Sequence, residues 1–541
     1  MTLRIFVLSS LWILLSFGWV VPALGQSLTG RVVDGATGDG VASRVYLQSL
    51  DDGEYFHVAA LQGGKAIPYD VRRGAKSLEV HTTLSAHAFR ATLPQAGKYR
   101  IVIEKGKAWI PHKREFSLKR GEFLDLGELE LVRWINPAAR GWFSGETHIH
   151  RRVDDLKTLV LAEDLNVALP LTAWVTDSQH RPDMQSRGGK VLYPAGEIRV
   201  TPQHVIWPIN TEYEIFTVNG KAHTLGAVFI LNHRSQLALT APPVGVLAAE
   251  ARRQGAILDL DKHNWPWTIM AAVTMDVDLF ELTNNHLWRT EFLFKDWYPE
   301  YAADFMQLSM KEGAFTEESW IDFGFKTYYA MLNCGLKMKP TGGTASGVHP
   351  VPLGYGRVYV YLDGDFSYAK WIDGLRRGRS FVTTGPFLDV RLKAHLPGDT
   401  LSLQSEEAFA GSLSLRVDSL QPRVEVEVIY NGDVLPVSSG RGQPKGSGGF
   451  EWELGYALPK QAYGWVAVRV FERDAETGRS RFAHSGPFYL DRKGASSTVR
   501  QEEVDYFVGR LESELKRHWG VLPETALQEY EKARRWFRAL K

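Results

Sequence analysis

Two histidines two residues apart, His148 and His150, lie in the stretch Gly141-Trp142-Phe143-Ser144-Gly145-Glu146-Thr147-His148-Ile149-His150-Arg151, beside the carboxylate of Glu146. In an extended strand, residues i and i+2 share a face, so both imidazoles can converge on one cation while Ile149 packs behind them. Neutral imidazole nitrogens suit zinc, iron, nickel or manganese, and such a pair needs further ligands from elsewhere in the chain. A His-x-His triplet also occurs in ordinary strands. Here the context singles it out: a glycine-containing approach, the start of a new domain, and further His and Glu residues at strand-end positions.

Nine of the 16 histidines fall between residues 134 and 388. Glu197 lies within the strand-like segment Gly-Lys-Val-Leu-Tyr-Pro-Ala-Gly-Glu-Ile-Arg-Val, with His204 seven residues on. Glu197 is a candidate metal carboxylate, and a surface strand glutamate fits the same pattern. Asp261 and His263 again stand at i and i+2 where a strand should end, followed by Trp265 and Trp267, which either wall a pocket or fill a core. Glu281, Asn284 and His286 occupy a similar strand-end position.

The elements that must position these groups are legible in outline. Residues 154–175 start acidic, run with a helical pattern and pass into a short apolar strand. Residues 243–263 repeat this, with Gly255 where a helix should stop. Helix followed by buried strand is the α/β pattern, in which functional groups gather at the C-terminal ends of parallel strands. On either side the pattern is all-β. Residues 26–133 alternate apolar and polar side chains around Asp34-Gly35 and Asp39-Gly40 turns, and residues 389–491 do so around an Asn431-Gly432 hairpin turn. Each is expected to form a β-sandwich, the first similar to carboxypeptidase regulatory-like domains. His57, His81, His87 and His112 in the first show no paired spacing and are read as ordinary surface or core residues. The stretch Ser-Ser-Gly-Arg-Gly-Gln-Pro-Lys-Gly-Ser-Gly-Gly in the second is expected to be a flexible loop. Residues 492–541 should be a helical tail, with Val504, Phe507, Leu511 and Leu515 on one stripe and Leu527, Tyr530, Ala533 and Phe537 on another, both packing on the parent protein.

Residues 1–25 combine an early positive charge at Arg4, an apolar run from Ile5 to Val21, and small residues at Ala23 and Gly25. This predicts a secretory signal peptide cut after Gly25, hence an exported protein, periplasmic or extracellular, with no integral span once the leader is removed. The single cysteine, Cys334, excludes an intramolecular disulfide and fits a bacterial envelope protein. With 63 basic and 62 acidic residues nearly cancelling, no electrostatic case exists for a nucleic-acid partner.

In chain order, the segments around Gly141–Arg151, Pro194–His204, Asp259–Asn264, Asp278–Asn285, Thr341–Leu362 and Gly378–Pro386 resemble the CehA/McbA family of metallohydrolases, within the broader PHP (polymerase and histidinol phosphatase) superfamily. The resemblance spans residues 134–388. It implies a distorted (β/α)7 barrel carrying divalent metal at the C-terminal end of its strands, here flanked by two β-sandwich domains and the helical tail. It also implies hydrolysis of ester, carbamate or phosphoester bonds, to which an amide is added here as a further bond that metal-activated water could attack. Carried over residue by residue, His148, His150, Glu197 and His263 are the expected ligands of one or two divalent ions (zinc, manganese or iron). His204 or His349 would move the proton, and Arg357 would stabilise negative charge, unless it serves a structural carboxylate. The chain departs from the pattern at Asp177-Ser178, where Asp-His is usual, at Ala345, where an aspartate is usual, and at Glu146, which takes the place of an aspartate. The substrate is expected to be a small molecule or a polymer-derived fragment. The other functional class these residues allow is an exported binding protein, catalytically degenerate, recognising glycan or protein.

Overall fold

The computed structural model describes residues 25–182, 193, 195–404 and 411–541. Apart from Gly25 the expected leader lies outside these residues, as do positions 189–192 and 194 of the strand-like segment before Glu197.

Period-2 alternation places Leu28 and Val32 of the strand Gln26–Asp34 inward, and the same rule builds the rest of the first unit. One sheet orders Ala59–Ala60, Phe89–Leu93, Gln26–Asp34, Phe123–Arg133 and Trp109–Ile110. The facing sheet orders His112–Leu118, Gly97–Glu104, Ser43–Ser49, Leu78–Leu84 and Ala66–Arg72, with Tyr55–Phe56 added to Ser43–Ser49. Leu28, Val45, Leu47, Phe89, Tyr99 and Ile101 fill the space between them.

In the central region, helices lead into short buried strands. Val153–Ala162 carries Asp154 and Asp155 in its first turn, where they complement the helix dipole, and leads to the strand Val167–Pro170. Gly245–Gln254 ends at Gly255, which takes a left-handed φ of 71° and lets the chain turn directly into Ile257–Leu260. The N-terminal amides of this helix, at Val244 and Gly245, donate to the carboxylate of Glu529 in the final helix at 2.8 and 2.6 Å.

Two sheets make up this region. A six-stranded sheet runs Ala173–Asp177, Thr211–Val218, Lys221–Leu231, Ile257–Leu260, Leu279–Thr283, Lys339–Gly342, its last three strands parallel. The other begins Ile198–Thr201, His204–Ile206, Val167–Pro170, Trp142–Ile149, Arg357–Tyr361, Ser380–Thr383, and does not stop there. Phe381, Val382 and Thr383 pair with Ser485, His484 and Ala483, so the same sheet continues into Ser480–Ser485, Gly464–Arg473, Arg423–Tyr430 and Asp433–Arg441. The protein is thus mixed α/β joined to β-rich parts, with one sheet crossing between them. The two central sheets meet beside His148: Ala345 N–H donates to His148 O at 2.8 Å, and His150 N–H to Ser346 O at 2.9 Å.

The C-terminal β region adds a four-stranded sheet of Phe387–Leu392, Ser412–Ser419, Phe450–Ala457 and Gln443–Pro444. Asn431 and Gly432, both at positive φ, form the expected hairpin turn. The Gly/Ser-rich stretch departs from the loop expectation. Its first residues extend the strand Asp433–Arg441, because backbone pairing with Arg423–Tyr430 needs no particular side chains. The tail forms helices Gln501–His518 and Glu524–Arg538, whose Val504, Phe507, Leu511, Tyr530 and Phe537 are buried in the main core. Among the described residues no helix is long and apolar enough to cross a membrane.

Candidate metal centre

All eight residues of the strand Trp142–Ile149 are buried, and its inward face delivers His148 and then His150 to the seam between the central sheets. The seam is close enough to require glycine at position 343, where a Cβ would fall 2.1 Å from His148 Cβ and 2.4 Å from Glu281 Oε1. Four carboxylates converge on the two imidazoles. Glu212 and Glu214 share a face of Thr211–Val218 by the same i, i+2 logic that aligns the histidines. Asp261 follows the last residue of Ile257–Leu260, and Glu281 projects from the middle of Leu279–Thr283.

Glu281 holds His148 from one side, with both carboxylate oxygens 3.2 Å from Nδ1. A proton on Nδ1 turned to Glu281 leaves the His148 Nε2 lone pair facing Glu212, whose Oε1 is 3.8 Å away, while His150 Nε2 lies 3.1 Å from Glu212 Oε2. Ligand atoms of His148, His150 and Glu212 lie within 4.8 Å of one another, as do those of His148, Asp261 and Glu281, and those of Glu212, Glu214 and Asp261. Glu212 and Asp261 are fully buried, yet neither oxygen of Glu212 nor Oδ1 of Asp261 receives a hydrogen bond. The charge present inside the cluster is the ammonium of Lys262, bonded to Asp261 and 3.5 Å from Glu214.

The electrostatics follow from this crowding. Burial, helped by His150 and Lys262, holds the His148 imidazole well below its ordinary range, so it is neutral and available as a ligand. Burial and then repulsion from Glu214 and Asp261 push Glu212 well above the usual carboxylate range, and burial and Asp261 do the same to Glu281. Ionised, four carboxylates against one ammonium leave a net charge of about −3 in a largely buried site. A divalent cation removes most of that excess, and a set of two imidazoles with carboxylates is one that zinc, manganese and iron accept. The residues present fit a metal.

A cavity of about 320 Å³ opens onto this cluster. His148, His150, Glu214 and Lys262 line its inner end, while Trp174, Phe216, Trp265, Trp288, Phe294 and Trp297 line its walls. The first β unit also takes part. Arg73 lines the mouth, and Tyr69 accepts from Gly347 N–H at 2.9 Å and donates to His349 O at 2.5 Å, stitching the sandwich to the segment that carries His349.

Of the residues singled out in the sequence, His148, His150, His286 and His349 line this cavity, with Asp261 and Glu281 in the cluster; His286 stacks on Phe294, Nε2 of His349 lies 3.3 Å from Asn285 Nδ2, and His349 Nδ1 has no hydrogen-bond partner. The structure does not bring Glu197 to the cluster: it is exposed and pairs with Arg199 at 2.5 Å. Nor does it bring His263, which turns away against Trp320 and Phe323 with ring centroids 4.8 Å distant. The i, i+2 expectation for Asp261 and His263 fails for a physical reason: the strand ends at Leu260, and beyond it side chains no longer alternate. His204 lies at a strand start, bonded to Thr201 and 4.0 Å from Asp164, outside this cavity. Arg357 is buried elsewhere and donates to backbone oxygens of Gly354, Glu163 and Asp164 at 2.6, 3.1 and 3.4 Å, so it does not serve the cluster; its charge favours the ionised forms of the buried carboxylates Glu163 and Glu146. Trp265 is a pocket wall, whereas Trp267 is core, packed onto Gly226.

Glu212 and Glu214 were not anticipated, although Glu-Tyr-Glu within an alternating strand carries the same signal as His-Ile-His. Asp261 and Glu281 had been placed at strand ends without a ligand role. Ser178 is buried and accepts from Asn219 N–H at 3.3 Å, and Ala345 lines the cavity at a φ of 51°.

No family model matches the chain, and no curated protein matches it. Among solved structures, the chain is similar to a two-domain protein from Bacteroides vulgatus containing a predicted PHP-like metal-dependent phosphoesterase, at 9% identity and a TM-score of 0.28, over 61% of this chain and 90% of that one. It is also similar to a CARDB domain from Pyrococcus furiosus, solved with di-metal ions, at 16% identity and a TM-score of 0.12, over 20% of this chain and 94% of that one. Neither likeness reaches the level of a shared fold.

Proposed function

We propose that this chain is a metal-dependent hydrolase whose divalent ion is held by His148, His150 and Glu212, with Asp261 and Glu281 adjoining. The observation that carries the reading is the pair of buried, hydrogen-bond-free oxygens on Glu212, set opposite Nε2 of both histidines. An ion of this kind, when bound, polarises the scissile bond and lowers the pKa of a coordinated water toward about 7. The protein's own contributions are separate. Glu281 fixes the tautomer and the angle of His148 through Nδ1. His349, whose imidazole burial holds well below its ordinary range, is neutral; Asn285 Nδ2 donates to its Nε2, so Nε2 carries the lone pair that can take up a proton and Nδ1 carries the hydrogen. The tryptophan walls exclude bulk water and offer flat apolar surface to the substrate body.

The bond cleaved belongs to the ester, carbamate, amide or phosphoester class, in a small or polymer-derived substrate, and export places the reaction in the periplasm or outside the cell. Metal analysis of the purified protein, followed by assay against one substrate of each bond type, tests the reading. Bound transition metal with turnover on at least one substrate is expected. Protein that carries no metal after equilibration with zinc, manganese and iron overturns it, and metal without turnover on any substrate favours the degenerate binding protein.

A further inference from the structure

The three ligand groupings around His148 differ in kind. Two contain a histidine, and the third, Glu212, Glu214 and Asp261, is made of carboxylates alone. Three negative groups within 4.8 Å of one another call for a cation of their own. Lys262 reaches this grouping. Its side chain is 2% exposed, its Nζ is bonded to Asp261 and lies 3.5 Å from Glu214, and the ammonium sits 5.0 Å from the ring centroid of Trp265, beside which it lines the cavity. Sequence neighbours in a strand point to opposite faces, so Asp261 and Lys262 can both turn inward because the strand has ended at Leu260.

We propose that Lys262 is a built-in cation that occupies the all-carboxylate position, so that the centre takes its metal on the histidine side and not across Glu212, Glu214 and Asp261. The assignment rests on the proposed metal centre for its histidine side, but the occupancy of the carboxylate side by an ammonium is a separate statement with a separate test. A lysine here does part of what a second ion would do. It neutralises Asp261 and Glu214, fixes their orientation, and leaves Glu212 free to face the histidines.

The test is a count of Mn(II) bound per chain by the full-length protein and by Lys262→Met, which keeps the apolar stem and removes the charge. After equilibration with Mn(II) and removal of excess, Lys262→Met is expected to hold one additional ion per chain relative to wild type, and its melting temperature should rise on Mn(II) addition by several degrees more than wild type's. Equal counts and equal shifts overturn the proposal. Should Lys262→Met fail to fold, anomalous scattering from wild-type crystals soaked in Mn(II) decides: density on the histidine side with none touching Glu214 upholds it, and an ion bridging Glu214 and Asp261 overturns it. The two readings fail differently. Wild type without any metal sinks the hydrolase, whereas an extra ion in Lys262→Met still upholds the role of Lys262.

Discussion

Arg44 and Lys262 are both buried cations among carboxylates, and the surroundings of the two differ in balance. Arg44 joins Glu104 of the first β unit to Glu163 of the central region. Nearby, Arg289 meets Glu79 at 3.2 Å and Glu79 meets His81 at 2.7 Å, around a cavity of about 360 Å³. Each carboxylate there meets a guanidinium, Arg44 being shared by Glu104 and Glu163. Burial would raise Glu79, but Arg289 and His81 bring it down to about 2. Around His148, four carboxylates share one ammonium, and Glu212 and Glu281 are driven upward. Like charges 4 Å apart repel by about 4 kcal/mol at an effective dielectric near 20, a repulsion that a cation bound among them would relieve. Balanced buried charge joins domains; unbalanced buried carboxylate marks a place for an ion.

The largest effect that would break this contrast is at the histidines. Replacing His148 and His150 together by alanine removes two of the three donors opposite one another, and should abolish metal retention and lower kcat/KM by more than about 100-fold, the upper range for losing a mere outer partner of a metal site. Metal content and single-substrate kinetics check it; retained metal with retained activity would erase the distinction between the two regions.

On the balanced side, Arg44→Met should cost about 3–5 kcal/mol of stability, since it leaves Glu104 and Glu163 buried and unpaired, while metal content per folded chain stays unchanged. Denaturant unfolding and metal analysis on the same sample read both halves. A fall in metal content at equal folding would show that the two regions are one network.

A smaller effect sharpens the account of the rim. Glu281→Gln keeps the shape but weakens the hold on His148 Nδ1, so metal affinity should fall by about 10–100-fold with the ligands themselves intact. Competition against a chelator measures it.

How much of this was legible in the sequence depends on what fixed each feature. Helix and strand order in the centre, the Gly255 stop, the Asn431-Gly432 turn and the tail stripes are local, set by side chains a few residues apart, and could be read directly. His148 and His150 were legible for the same reason. The rest of the centre is set by sheet order: Thr211–Val218 and Leu279–Thr283 lie opposite His148 because of pairings between strands distant in sequence, which no spacing encodes. Glu197 and His263 had suitable types at suitable apparent strand ends, and were misplaced because chain position near a strand end does not say which way a side chain leaves it.

The last expected effect is on pH dependence, and here the two regions should pull in opposite directions. In metal-free protein, Glu212 and Glu281 have folded-state values raised above the unfolded 4.5, so their contribution to stability is full below about pH 4.5 and is lost as pH rises. Glu79, lowered to about 2, contributes fully above 4.5 and loses that contribution as pH falls toward 2, so it adds no slope between pH 7.5 and 8.5. Glu146 and Asp259, pushed by burial to about 8, add a falling slope whether or not metal is bound, which makes the difference between metal-free and loaded protein the quantity to read. The buried histidines, held below their ordinary 6.5, add a slope of the opposite sign that is spent by about pH 7.5, so metal-free protein should melt at lower temperature at pH 8.5 than at pH 7.5. Metal should recover much of that loss, because ligand deprotonation then favours binding in place of opposing folding. Melting curves at the two pH values, with and without Mn(II), decide it: an equal drop in both would mean that the excess carboxylate around His148 is neutralised within the chain, and the contrast with Arg44 would be one of degree alone.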